Sequence, residues 1–106
     1  MLKDGFASAE ADMQARSLRE SRVEAERMLL ATRAALAADG EALLDDDQRD
    51  GIDAHLARLE AARAGQDHHA IDAAIESLAA ATESFAAERM NRSLQDALTG
   101  KRVEEV

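Results

Sequence analysis

The chain has 106 residues, enough for one domain, and combines 46% apolar residues with only 2% aromatic ones, no proline and no cysteine. That composition argues against a sheet and excludes a disulfide framework and a thiolate metal site, while Ala, Glu, Arg and Leu favour helix because they lose little rotamer freedom there. Thirteen Lys and Arg against twenty-two Asp and Glu leave a net charge of −9, so a phosphate backbone finds no cationic patch to bind. No apolar run approaches the roughly 20 residues of a membrane span, and the N-terminus lacks the basic-then-apolar order of a signal peptide. A cytoplasmic protein is the expectation.

The fold expected is all-α: a long N-terminal helix running into an antiparallel three-helix bundle. The first helix is placed at about residues 8–38, from Ser8 as N-cap to a stop at Asp39 and Gly40. Its rear carries a core stripe of Ala25, Leu29, Thr32 and Leu36, with Met28 beside it. From Gln14 to Ser21 the only large apolar residue is Leu18, so that stretch is expected in water. Upstream, Leu2, Phe6, Ala9 and Met13 recur at spacings of four, three and four, which is an apolar stripe again. The bland explanation is a frayed leader whose apolar residues happen to align; the functional one is a docking face.

A second helix is expected over residues 45–64, with Asp45 or Asp46 as N-cap, Gln48 closing a capping box, and Ile52, Leu56 and Leu59 on its core side. Gly51 is a local weakness in it. The third helix, residues 67–99, starts at Asp67 and presents Ile71, Ile75, Leu78, Thr82 and Phe85 at alternating fours and threes. After Phe85 the next large apolar residue is Met90, then Leu94 and Leu98. The apolar face therefore shifts, and a bend or short extra helix is expected between Arg89 and Asn91. Gly100 ends the regular structure and residues 100–106 form a loose tail. Short connections force antiparallel neighbours, and a second helix of ~30 Å at 1.5 Å per residue cannot cover a first helix of ~45 Å. An overhang at the front of the first helix follows.

Chemistry-bearing constellations are few. The run Asp45, Asp46, Asp47 lacks the alternate spacing and glycine turn of a calcium loop, and acidic residues favour a helix N-terminus. His55, His68 and His69 form neither an HExxH motif nor an i, i+4 pair. Carboxylate pairs such as Glu20 with Glu24 lie on faces read as solvated, where general acid–base work has no cleft. There is no GxGxxG and no GxxxxGK[ST]. No catalytic, cofactor-binding or metal residue is assigned, and the chain by itself is not expected to be an enzyme.

Four segments carry a resemblance: Asp12-Met13-Gln14-Ala15-Arg16, Val23-Glu24-Ala25-Glu26-Arg27, Phe85-Ala86-Ala87-Glu88-Arg89-Met90 and Val103-Glu104-Glu105-Val106. In order and at matching spacing, they resemble the C-terminal region of the HscA family, bacterial DnaK-like members of the seventy-kilodalton heat-shock chaperones. The resemblance covers essentially the whole chain. It implies a helical lid over the peptide-binding β-sandwich, with Leu2, Phe6, Ala9 and Met13 docking on the sandwich and the rear of the helix in the bundle. It further implies ATP-dependent assistance of iron–sulfur cluster assembly and transfer, the scaffold protein IscU as client and HscB as co-chaperone. ATP and magnesium would belong to an ATPase domain which, like the sandwich, is expected upstream of Met1. The ending Glu104-Glu105-Val106 lacks the final Asp of the EEVD terminus by which eukaryotic relatives bind TPR adaptors, so TPR binding is not implied. The competing reading is a free-standing helical adaptor or dimerisation module, in which the exposed stripe drives self-association.

Overall fold

The computed structural model describes the backbone of residues 2–105 and the side-chain surroundings of residues 9–99. Helix α1 spans Leu2–Ala35, passes through a π-helical turn at Leu36–Gly40 into the one-turn helix α2 at Glu41–Leu43, and is followed by α3 at Asp46–Ala64, α4 at His68–Ala81 and α5 at Glu83–Glu105. The rear of α1 packs with α3 and α4 as an antiparallel three-helix bundle, and the molecule measures 76 × 34 × 16 Å. The architecture is the expected one. Among the described residues there is no strand.

The core forms where the apolar stripes predicted it. Ala25, Leu29 and Leu36 from the first helical segment meet Ile52, Leu56 and Leu59 of α3, Ile71 and Leu78 of α4, and Phe85 of α5. Leu29, Leu59, Ile71 and Leu78 are the largest fully buried side chains, and each contributes about 1.5–3 kcal/mol by leaving water. Ile75, Met28 and Leu18 cover the edges of this cluster.

Two of the three predicted N-caps are present, those of α3 and α4. The Gln48 N–H donates to Asp45 Oδ1 at 2.8 Å and the Asp45 N–H donates to Gln48 Oε1 at 3.0 Å, a reciprocal capping box. The His69 N–H donates to Asp67 Oδ1 at 2.9 Å. The acidic run at 45–47 is thereby accounted for by the helix start rather than by a cation.

Four expected boundaries move. The first helix is helical from Leu2, and Ser8 lies within it; one serine amid strong helix formers costs too little to stop propagation. Asp39 and Gly40 do not end the helix either. The chain widens into the π turn with Gly40 right-handed, at φ −59° and ψ −44°, and regular structure stops at Leu44 with φ −118° and ψ 139°. Gly40 is buried beneath the Arg49 side chain of α3: a Cβ there would lie 2.9 Å from Arg49 Nη1. Its role is close approach, not a left-handed cap.

The third boundary is the break in the last helical segment, which falls at Thr82 and not between Arg89 and Asn91. Thr82 Oγ1 donates to the Leu78 and Ala79 carbonyls at 3.0 and 3.2 Å, and its backbone relaxes to φ −99° and ψ 1°. Hydroxyl back-bonding of this kind bends helices. Finally, α5 runs through Gly100 to Glu105, since one glycine costs only about 1 kcal/mol relative to alanine. Val106, and the side chains of the tail, lie outside the described residues.

Candidate functional site: the overhanging half of the first helix

Exposure divides α1 sharply. Every residue from 9 to 16 is exposed, Ser17 and Leu18 are half-buried, and then Ser21, Ala25, Leu29, Thr32 and Leu36 are buried at spacings of four, four, three and four. One unbroken helix thus supplies a bundle strut at its rear and an uncovered arm at its front. Of the predicted docking stripe, Ala9 and Met13 are exposed, Met13 at 67%. Leu2 and Phe6 belong to α1 by backbone, and their side chains lie outside the described residues.

The point where the arm leaves the bundle is clamped by polar contacts that sequence reasoning missed. Ser21 Oγ donates to Asp72 Oδ1 of α4 at 2.6 Å. Arg22 Nη2 donates to the Gly65 carbonyl at 2.6 Å and Arg22 Nε to the Arg63 carbonyl at 3.2 Å. A cation at the end of α3 satisfies carbonyls left without intrahelical partners and complements the helix dipole. Next to this clamp, Ser17, Glu20, Glu24 and His68 line a shallow polar groove. Nothing in the local sequence separates Arg22 from any surface arginine; only the return of the α3–α4 connection to its side does.

The far end of the bundle has its own clamp. Asp39, presented by the π turn, accepts from Arg89 Nε at 2.7 Å and lies 3.5 Å from Arg92 Nη1. The Arg89 guanidinium also stands 6.0 Å from the centre of the Phe85 ring. These contacts lay the start of α5 against the tip of the bundle.

Among the described residues no group of three or more His, Asp or Glu side chains could hold a metal ion. The cavities are open surface grooves, such as the one between Arg33, Arg49, Asp53 and Glu60. No helix among the described residues is long and apolar enough to cross a membrane. The arrangement can hold an arm in place relative to a bundle.

Comparison with known proteins agrees with this geometry. The family model described as Hsp70 protein matches residues 1–91. A chaperone protein HscA homolog of Methylibium petroleiphilum is 61% identical over 106 residues, covering 100% of this chain and 17% of that protein. HscA homologs of Janthinobacterium sp. (strain Marseille) and Delftia acidovorans are 55% and 58% identical over 106 and 104 residues, again covering 17% of each. The chain therefore spans about one-sixth of the length of these relatives. An all-helical arm and bundle, matched by that family model over most of its length and by HscA homologs from end to end, belongs to the Hsp70 family of chaperones.

Proposed function

We propose that the chain is the helical lid over the peptide-binding site of an ATP-dependent chaperone that assists iron–sulfur cluster assembly and transfer. The observation that carries the reading is the uncovered front of α1: residues 9–16 are exposed along their whole circumference, while the rear of the same helix is locked into the bundle. A lid needs such a part, one end anchored and the other free to meet a second surface. Leu2, Phe6, Ala9 and Met13 would be the face that meets a β-sandwich elsewhere in the full-length protein. Closure slows peptide release and opening speeds it, so the face acts through its differential affinity for the two states.

IscU as client, HscB as co-chaperone, ATP with magnesium in a separate domain, and a cytoplasmic setting complete the proposal. They rest on the likeness to the HscA homologs and on no residue of this chain.

The test replaces Phe6 and Met13 by serine in the full-length chaperone and follows release of a fluorescent client peptide. Removing two apolar anchors is expected to speed dissociation about tenfold or more, with the helical content of the bundle unchanged. Dissociation at the original rate would refute the docking role of this face.

A further inference from the structure

Helix α5 is attached to the bundle at two points. The first is Phe85, which is 3% exposed and a member of the core. The second lies about one turn further on, where Arg89 Nε donates to Asp39 Oδ2 at 2.7 Å and Arg92 Nη1 stands 3.5 Å from Asp39 Oδ1. Apart from the half-buried Arg89, every residue from 86 to 99 is exposed, and Met90, Leu94 and Leu98 contribute nothing to the core. Over these described residues, no apolar burial fixes the direction in which α5 runs.

A rod held at one point pivots; held at two, it has a direction. The pivot is written into the chain at Thr82, where the backbone leaves helical geometry at φ −99° and ψ 1° and the hydroxyl bonds back to the Leu78 and Ala79 carbonyls. Helix α5 is therefore no rigid continuation of α4. Space lies on both sides of its start. Gln48, Gly51 and His55 of α3 face Ser84 and Glu88 across one groove, and a Cβ at Gly51 would meet nothing within 4 Å. Ala42 and Leu43 face Asn91 and Gln95 across another.

The second attachment differs from the other arginine–carboxylate pairs of the molecule. The Asp39 side chain is 21% exposed, whereas Glu24, Asp53 and Glu60 in those pairs lie between 48% and 54%. Both of its oxygens are engaged, by guanidinium groups from successive turns of α5, and partial burial shields such a pair from screening. The Arg89 guanidinium also stands 6.0 Å from the centre of the Phe85 ring, which ties the two attachments together. We propose that Asp39 is an ionic latch: while it holds Arg89 and Arg92 it fixes the direction of α5, and on its release α5 swings as an intact helix about Phe85 and Thr82. None of these residues lies on the front of α1, so the inference stands independently of the lid reading.

The test measures a distance within the 106-residue chain, whose core is closed by its own helices and which has no native cysteine. Spin labels are attached through Ala54→Cys on α3 and Ala97→Cys on α5, both at exposed positions. The labelled chain is diluted into an excess of unlabelled chain so that only distances within one molecule are read. With the latch closed, the pair should give one narrow distance distribution. Asp39→Asn should broaden it about twofold or more, as further orientations of α5 become populated, while far-UV circular dichroism stays unchanged because the helix moves without melting. Reversing all three charges, with Asp39→Lys, Arg89→Glu and Arg92→Glu together, should narrow the distribution again. A distribution indifferent to Asp39→Asn, or one that the reversed set leaves broad, would overturn the latch. A loss of helical signal in Asp39→Asn would mean that α5 melts when released, and would overturn the swinging helix.

Discussion

The two halves of α1 share one helix and nearly one composition, yet among the described residues only the rear is held by tertiary contacts. Between Ser21 and Leu36 each turn places a side chain into the core, and Thr32 and Ser21 are buried with it. Between Ala9 and Arg16 each turn faces outward entirely. The lesson is that a continuous helix can contain two stability regimes. The rear opens only with the bundle, whereas the front has few buried contacts to oppose local fraying. A lever arm of this kind can detach from another surface without unfolding its anchor.

The contrast can be broken first at the core. Leu29→Ala, at a residue only 2% exposed, is expected to destabilise the bundle by about 2–5 kcal/mol through lost burial and a residual cavity. Met13→Ala, on the same helix at 67% exposure, should change stability by less than about 0.5 kcal/mol. Thermal and denaturant unfolding followed by circular dichroism checks both, and equal effects would mean that the front of α1 is packed.

A smaller change acts at the junction between the halves. Ser21→Ala leaves the Asp72 carboxylate without its 2.6 Å donor and should cost about 1 kcal/mol. Amide hydrogen exchange should then speed over residues 17–22 before it speeds in the core. Uniform acceleration along the bundle would show that the clamp does not mark a boundary.

The smallest effect has the opposite sign. Gly51 is helical and solvent-facing, and a Cβ there would meet nothing within 4 Å, so Gly51→Ala should stabilise α3 by roughly 0.5–1 kcal/mol. A raised unfolding midpoint is the expected result. A lowered one would reveal a contact on that exposed face.

The buried stripes were legible because helix periodicity alone selects them: Ala25, Leu29 and Leu36, then Ile52, Leu56 and Leu59, then Ile71, Leu78 and Phe85. The capping residues Asp45, Gln48 and Asp67 were legible for the same reason, since a cap acts within one turn of itself. The apolar spacing that nominated Leu2, Phe6, Ala9 and Met13 is likewise local, and the exposure of Ala9 and Met13 belongs to that face.

What escaped the sequence depends on groups brought together from far apart in the chain. Gly40 reads as a stop, yet in the fold it lies within a continuous turn with the Arg49 side chain of α3 beside it. Thr82 looked like one more member of a stripe, and its back-bonding to Leu78 and Ala79 turned it into the break. Asp39 joins Arg89 and Arg92 across some fifty positions, and Arg22 reaches Gly65 across forty-three. Local propensity and periodicity therefore determined which residues are helical, where two of the helices begin and which faces are apolar. Tertiary packing alone decided which apolar faces are covered, because a stripe carries no record of whether another helix lies within reach of it.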